Sequence, residues 1–104
     1  MSNSIRLRDN EFIQRLKECV LGLLKDEDIK IILFGSRARG DSTTLSDVDV
    51  GIIPKGKVDK KKIALLREAT EEINIPYKVD IVDFSYIGEE FKKEVFKEAE
   101  IWKG

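Results

Sequence analysis

The sequence of 104 residues contains no histidine, one cysteine and no long apolar segment. Without histidine, Ser/His and Cys/His nucleophile pairs and histidine zinc sites are excluded, so any chemistry must rest on carboxylates, lysine, arginine, hydroxyl groups or a hard metal ion. Cys19 cannot form an internal disulfide, and its apolar helical surroundings indicate a buried small side chain. No segment approaches the ~20 apolar residues of a membrane span, and the polar residues 1–10 lack the apolar centre of a secretory signal. We therefore expect a cytoplasmic protein that does not contact a membrane.

Neither sign of charge is in excess, because 19 Lys and Arg residues stand against 20 Asp and Glu residues, for a net charge of -1. Overall charge therefore does not favour nucleic acid as a partner, and any electrostatic function must be local. The basic segment KGKVDKKK, residues 55–62, lacks the interleaved aromatic residues of single-strand binders. It is typical of a solvated helix start, with an acidic partner or RNA as the alternative.

The hydrophobic patterns predict a single α/β domain over residues 1–104. Apolar residues at helical spacing predict helices over about 10–25, 59–73 and 86–102, and a short helix is expected after Gly35. Strands are predicted over 29–34, 47–53 and 77–84. We expect a small mixed sheet of about three strands with helices packed on one face. Trp102, near the end of the last predicted helix, is either a core residue or an anchor for a partner.

The segment GSRARG begins where the apolar run 29–34 ends. Gly35 tolerates a positive φ and lets a backbone come close to a ligand. If Ser36 begins a short helix, its backbone N–H groups and its hydroxyl suit phosphate oxygens, and Arg37 and Arg39 add forked donors. Taken alone, a Gly-Ser turn with nearby arginines is commonly an ordinary loop.

Three aspartates follow in strand-like surroundings. Asp47 and Asp49 are two residues apart, so on a strand they share one face at about 6–7 Å, where they repel each other unless a cation lies between them. Asp80 lies within KVDIV, and three carboxylates converge if the two strands are neighbours. Such a set suits Mg²⁺ or Mn²⁺, and a pair of these ions can stabilise an in-line displacement at phosphorus. An isolated Asp-Val-Asp is more often a solvated strand edge than a metal site. Asp83 is three residues after Asp80 and so would point to the opposite face of a strand, and we expect it to be a turn residue at the end of the strand.

Gly35-Ser36, ten residues and then Asp47-Val48-Asp49 resemble the GS-x10-DxD signature of the DNA polymerase β-like nucleotidyltransferase superfamily. Asp80 in VDIVDF resembles the third acidic residue of that superfamily, and the whole chain looks like a minimal nucleotidyltransferase (MNT) domain. The resemblance implies a polymerase β palm-like fold in which Gly35 and Ser36 hold the triphosphate. It also implies that Asp47 and Asp49 hold two metal ions, and that Asp80 helps bind the catalytic metal and activate the attacking hydroxyl.

Many minimal members of this superfamily are antitoxins encoded with a HEPN-domain RNase toxin, and some transfer AMP from ATP onto a tyrosine of that toxin. The resemblance therefore implies transfer of NMP, from ATP or another NTP, to a hydroxyl of a HEPN toxin. Larger relatives carry a helical region for the base or acceptor, so we expect a partner chain or self-association to complete the acceptor site. Two alternatives stay open: the same chemistry on a small molecule or an RNA 3′ end, and a non-catalytic module that occludes a toxin.

Overall fold

The computed structural model describes residues 2–35 and 47–104, with side chains described from residue 11 onward. Within these ranges the chain forms the helices α1 (Ser2–Leu23), α2 (Lys60–Glu72) and α3 (Glu89–Phe96). The strands are β1 (Ile29–Phe34), β2 (Val48–Pro54), β3 (Val79–Asp83) and β4 (Glu100–Lys103). A 3-10 turn, Phe84–Tyr86, connects β3 to α3. The short helix predicted after Gly35 lies outside the described residues.

The four strands form one mixed sheet in the order β3-β2-β1-β4. β1 is antiparallel to both β2 and β4, whereas β2 and β3 are parallel. The parallel pair is joined through α2, which packs against the sheet as the crossover of a parallel pair must. The predicted α/β class is therefore confirmed, and the described sheet has one strand more than the three expected.

The additional strand replaces the end of the last predicted helix, which was wrong beyond Phe96. α3 stops there, and Glu100–Lys103 pairs antiparallel with β1. In this four-residue edge strand Trp102 is 7% exposed and belongs to the main core, while Ile101 points outward. The structure thus assigns Trp102 to core packing rather than to a partner anchor. A strand with one buried side chain is too short for its alternation to stand out against the preceding helical pattern.

The first predicted helix was wrong at its start, because α1 begins at Ser2 instead of near residue 10 and ends at Leu23. Its first nine residues contain only two apolar ones, Ile5 and Leu7, and these are two positions apart rather than at helical spacing, so periodicity alone could not identify this part as helical. The part of α1 that packs on the sheet contributes Leu16 and Val20 to the core. Cys19 is partly buried beside them, and this burial raises the pKa of its thiol.

The main core lies between one face of the sheet and the helices α1 and α2. Its strand residues alternate along each strand, as a sheet covered on this face requires; they include Ile29, Ile31, Leu33, Val48, Val50, Ile52 and Ile81. Lys103, at the end of β4, donates from Nζ to the carbonyl oxygens of Leu24 (2.9 Å), Lys25 (3.1 Å) and Glu27 (2.6 Å). An ammonium group thereby satisfies carbonyls beyond the end of α1 and fixes the edge strand to the helix layer.

The opposite face of the sheet is covered by the 3-10 turn and α3, so the helices do not all pack on one face as predicted. Phe84 of the turn is fully buried and meets the Phe34 ring edge-on at 5.5 Å between centroids, with Phe91 of α3 at 6.3 Å. Gly51 permits this packing, because a Cβ there would lie 2.9 Å from Ile32 Cγ1 and 3.0 Å from Phe84 Cε1. In the described ranges, no helix combines the length and apolar character needed to cross a bilayer.

Candidate active site

Gly35 directly follows β1 in a conformation that favours glycine, with φ at 79°. A side chain at this position would collide with Oδ2 of Asp49, so the backbone of the turn lies directly against that carboxylate. Glycine is required here for two independent reasons, the positive φ and the close approach. The turn after β1 therefore lies against Asp49, one of the carboxylates that the sequence singles out.

Asp49 and Asp80 are register partners on the parallel strands β2 and β3. Phe34, the last residue of β1, is in turn the partner of Asp49. Partners on adjacent strands lie about 4.8 Å apart and point to the same face of a sheet. Asp49 is half-buried and Asp80 is exposed, both on the face opposite the main core. Two strands that are distant in sequence thus bring the two carboxylates side by side, and the Asp49 carboxylate also lies against Gly35.

Asp47 immediately precedes β2 and is exposed. The start of β2 is held in place because the Val48 N–H donates to the Lys78 carbonyl at 2.9 Å. Asp47 has the same parity as Asp49, and its charge acts on the Asp49 carboxylate. All three predicted acidic residues therefore belong to the same end of the β2–β3 pair.

The electrostatics of this place disfavour a negative charge on Asp49. Burial raises the pKa of the Asp49 carboxyl above its ordinary value, and the negative charges of Asp80 and Asp47 raise it further. The charged form thus loses hydration and faces repulsion, and these are the conditions that a bound cation relieves. Groups with perturbed pKa values cluster at functional sites.

The donor set fits a hard divalent cation, because it consists only of carboxylate oxygens that repel one another. Among the described side chains, no three or more of His, Cys, Asp or Glu are grouped closely enough to hold a metal ion by themselves. A cation here would need further oxygen ligands from elsewhere. Mg²⁺ commonly completes its coordination with water and substrate phosphates.

The remaining predicted site residues are not described by the structure, whereas Asp83, which was expected to have a structural role, is. Ser36, Arg37 and Arg39 lie outside the described residues, so their predicted contact with phosphate stays a prediction. Asp83 is the turn residue that was expected: its side chain accepts from the Ser85 N–H at 2.9 Å and forms an ion pair with Lys60. Burial would raise the pKa of the Asp83 carboxyl, but hydrogen bonds from Lys60 and Ser85 and the Lys60 charge lower it overall.

The sequence interpretation missed a cavity of about 420 Å³ next to Gly35. Its walls come from the end of β1 and from α3, and they are formed by Phe34, Gly35, Phe91, Glu94, Val95, Lys97 and Glu98. The apolar stripe of α3 was interpreted as ordinary core, yet Phe91 is 51% exposed. The helix has eight residues and few apolar side chains, so its sequence gives little support for core packing. This could have indicated that one apolar face of the helix is exposed.

Comparison with known proteins agrees with this geometry. The sequence profile of the family described as "Polymerase beta, Nucleotidyltransferase" matches residues 20–102. The Haemophilus influenzae protein named "Probable protein adenylyltransferase MntA" is 33% identical over 70 residues, which cover 67% of this chain and 61% of that protein. The present chain thus spans about three fifths of this relative.

Two solved structures share the fold. The first, described as "Crystal structure of the toxin-antitoxin with AMP-PNP", superposes with a TM-score of 0.64 at 22% identity over 85% of this chain and 73% of the other. The second contains a tri-AMPylated Shewanella oneidensis HEPN toxin in complex with MNT antitoxin, and matches with a TM-score of 0.56 at 19% identity over 96% and 72% of the two chains. At these identities the likeness is one of fold.

Proposed function

Since this chain belongs to the polymerase beta nucleotidyltransferase family, we propose that it transfers a nucleoside monophosphate, AMP from ATP, to a hydroxyl group of a partner protein. The observation that carries the proposal is the register of Asp49 with Asp80 beside the Gly35 turn. This arrangement brings oxygen ligands for divalent cations next to the Gly35 backbone at one place on the sheet.

Each acidic residue has a role that follows from its position. Asp47, Asp49 and Asp80 would hold the divalent cations, which when bound neutralise the triphosphate and lower the pKa of the attacking hydroxyl. The hydroxyl oxygen of the acceptor attacks the α-phosphorus, the bond from that phosphorus to the bridging oxygen breaks, and pyrophosphate leaves with the electron pair. Asp80, the more exposed member of the register pair, receives the hydroxyl proton.

The partner is proposed from the relatives. One structural neighbour contains AMP-PNP, and another contains an AMPylated HEPN toxin with an MNT antitoxin. The H. influenzae relative is named as a protein adenylyltransferase. We therefore propose that the acceptor is a HEPN-domain toxin encoded next to this chain, and that the chain acts as its antitoxin by modifying it.

The direct test is transfer of label from ATP labelled at the α-phosphate, with Mg²⁺ and the HEPN-domain protein as acceptor. The wild-type chain should label the acceptor, and Asp49→Asn should abolish the label. Asp26→Asn is the matched control, since it removes the same charge from an exposed turn after α1, outside the site. Equal labelling by the wild type and Asp49→Asn would remove the proposed role of the acidic residues.

The alternatives give different results in the same set of experiments. Labelling of tRNA or of an aminoglycoside by the chain alone would favour the small-molecule or RNA reaction. If a variant with Asp47, Asp49 and Asp80 all changed to Asn still protects cells from the toxin, occlusion accounts for the antitoxin effect. Loss of protection in that variant, with its binding to the toxin intact, supports protection by nucleotidyl transfer.

A further inference from the structure

Tyr86 is the most exposed of the large apolar side chains that the structure describes, and no step of the proposed function uses it. It is 86% exposed, whereas Leu65, the next in order, is 55% exposed. The chain has one other tyrosine, Tyr77, which is partly buried and meets the Phe12 ring edge-on at 6.0 Å between centroids. Of the two tyrosines, Tyr86 is therefore the one that offers its phenol to another molecule.

The 3-10 turn holds this phenol in a defined position. The turn is anchored by Phe84, which is fully buried, and it is closed by the Ile87 N–H, which donates to the Phe84 carbonyl at 3.2 Å. Lys60 Nζ lies 5.2 Å from the centroid of the Tyr86 ring, and the ion pair with Asp83 holds this ammonium group in place. The Tyr86 ring therefore projects into solvent from a supported site and not from a free chain end.

The neighbouring hydroxyl of Ser85 is less suited to accept a transferred group. Its Oγ donates to Asp83 Oδ1 at 2.6 Å and accepts from Lys60 Nζ at 2.8 Å, so both hydrogen bonds would have to break before it could attack. A phenol also releases its proton more readily than an alkyl hydroxyl does. Nucleotidyl transfer to this turn would therefore take place at Tyr86.

Tyr86 lies too far along the sheet to reach the acidic residues of its own chain. Asp80 is the second residue of β3 and Asp83 is the last, so the turn begins about 10 Å beyond Asp80, and the contact with Lys60 keeps the ring at that end. The Asp80 side of the site is open to a second copy instead, because Asp80 is exposed and β3 is an edge strand of the described sheet. A side chain that projects from a turn has the shape needed to enter there.

We propose that Tyr86 is a self-modification site, to which the acidic residues of a second copy of this chain transfer AMP. The Tyr86 phenol oxygen attacks the α-phosphorus of ATP on the second copy, and the bond from that phosphorus to the bridging oxygen breaks. Pyrophosphate leaves with the electron pair, and the phenol proton passes to Asp80 of the second copy. The proposal rests on the proposed function, since it uses the same transfer, and it adds this chain as a second protein acceptor.

The test is incubation of the chain alone with Mg²⁺ and ATP labelled at the α-phosphate, followed by intact mass measurement and peptide mapping. Tyr86→Phe removes the phenol oxygen and keeps the ring beside Lys60, and Tyr77→Phe is the matched control. We expect the wild type and Tyr77→Phe to gain AMP on the peptide that contains Tyr86, and Tyr86→Phe to lose this self-labelling. All three should label the HEPN-domain acceptor equally, which shows that Tyr86→Phe is folded and active.

A mixing experiment tests transfer between copies. Asp49→Asn retains Tyr86 but lacks a complete acidic site, whereas Tyr86→Phe retains the site but lacks the phenol. Neither should label itself alone, and in the mixture, with a purification tag on one of them, the Asp49→Asn chain should become labelled. An unlabelled Asp49→Asn chain in the mixture, beside a wild type that labels itself, would overturn transfer between copies.

The remaining outcomes separate this proposal from the proposed function. If the wild type labels the HEPN-domain acceptor but not itself, or if Tyr86→Phe labels itself as the wild type does, the self-modification site alone is overturned. If the wild type labels neither the acceptor nor itself, the proposed function fails and the self-modification site fails with it.

Discussion

Asp49 and Asp80 are register partners on adjacent parallel strands and lie on the face of the sheet opposite the main core, where the Asp49 carboxylate lies against the turn at Gly35. Two carboxylates in this relationship repel each other, and cross-strand pairs of like charge are destabilising. Nothing in the packing of the sheet requires an acidic residue at either place, because both lie on the face opposite the main core. The pair therefore carries a cost in stability that the proposed cation and nucleotide site explains.

The first prediction concerns this cost. Because burial, Asp80 and Asp47 raise the pKa of Asp49 in the folded state, its charged form destabilises the fold at pH 7, above that pKa. Asp49→Asn should therefore raise the free energy of unfolding by roughly 0.2–1 kcal/mol, measured by urea denaturation at pH 7 with a metal chelator present. The gain should shrink as the pH falls through the raised pKa, since the wild-type carboxyl is then neutral as well.

The control for this measurement is again Asp26→Asn, which should change the free energy of unfolding by less than about 0.5 kcal/mol, as is usual for an exposed position. A clear loss of stability in Asp49→Asn would mean that the Asp49 carboxylate makes favourable contacts in the native state. The proposed repulsion would then be wrong.

The second prediction concerns the turn at Gly35. Gly35→Ala combines a positive φ with a collision against the Asp49 carboxylate, so the turn and the carboxylate must move apart. We expect ATP binding to weaken by at least about tenfold, and the free energy of unfolding to fall by about 1 kcal/mol or more. Gly56→Ala is the control, because a Cβ there meets its nearest neighbour only at 4.0 Å. Wild-type ATP affinity in Gly35→Ala would contradict the placement of phosphate at this turn.

The third prediction concerns the aromatic cluster beneath α3. Gly51→Ala would place a methyl group 2.9 Å from Ile32 Cγ1 and 3.0 Å from Phe84 Cε1, and overpacking of this kind costs about 1–3 kcal/mol. Gly22→Ala in α1 is the matched substitution with nothing within 4 Å, and it should stabilise the protein by about 0.5–1 kcal/mol. Chemical denaturation of both variants measures the two effects, and a stabilised Gly51→Ala would show that Phe84 does not pack on β2.

The fourth prediction concerns acid stability. Hydrogen bonds from Lys60 and Ser85 outweigh the effect of burial and lower the pKa of Asp83 below its ordinary value of 3.8. The stabilisation is therefore fully present above pH 3.8 and is lost as the pH falls through the lower folded-state pKa. Lys60→Met should lower the free energy of unfolding by about 0.5–1 kcal/mol at pH 7. The difference between this variant and the wild type should disappear once the pH is below the folded-state pKa of Asp83.

The control for the fourth prediction is Lys57→Met, which removes a lysine charge from the exposed loop before α2 and should leave the pH profile unchanged. The measurement is thermal unfolding as a function of pH. A difference between Lys60→Met and wild type that stays constant at low pH would show that Lys60 acts by packing over the Tyr86 ring and not through Asp83.

The sequence was sufficient for those parts of the fold whose patterns are local and strong. β1 agrees at both ends because its apolar run is bounded by charged residues and Gly35. Asp47 and Asp49 could be assigned to one face because a strand has a strict period of two. The pairing of Asp49 with Asp80 depended on which strands are neighbours, and here the resemblance to a known family supplied what periodicity could not.

The parts that sequence reasoning missed depend on tertiary contacts. β4 has its one buried residue, Trp102, and its strand geometry comes from pairing with β1. The cavity beside Gly35 exists because α3 crosses the face of the sheet opposite α1 and α2, and no local pattern in residues 89–96 specifies that face. Propensity is overridden in both cases by packing between segments far apart in the chain.

The central claim is that Asp49 and Asp80 together bind a divalent cation when nucleotide is present. The most direct measurement is a titration of Mn²⁺ followed by electron paramagnetic resonance, with a non-hydrolysable ATP analogue, for the wild type, Asp80→Asn and Asp83→Asn. Asp83 lies on the same strand as Asp80 but on the opposite face, so it provides a matched control. The account predicts that Asp80→Asn weakens nucleotide-dependent Mn²⁺ binding by at least about tenfold, whereas Asp83→Asn retains it. Equal Mn²⁺ affinity in the wild type and Asp80→Asn would contradict it.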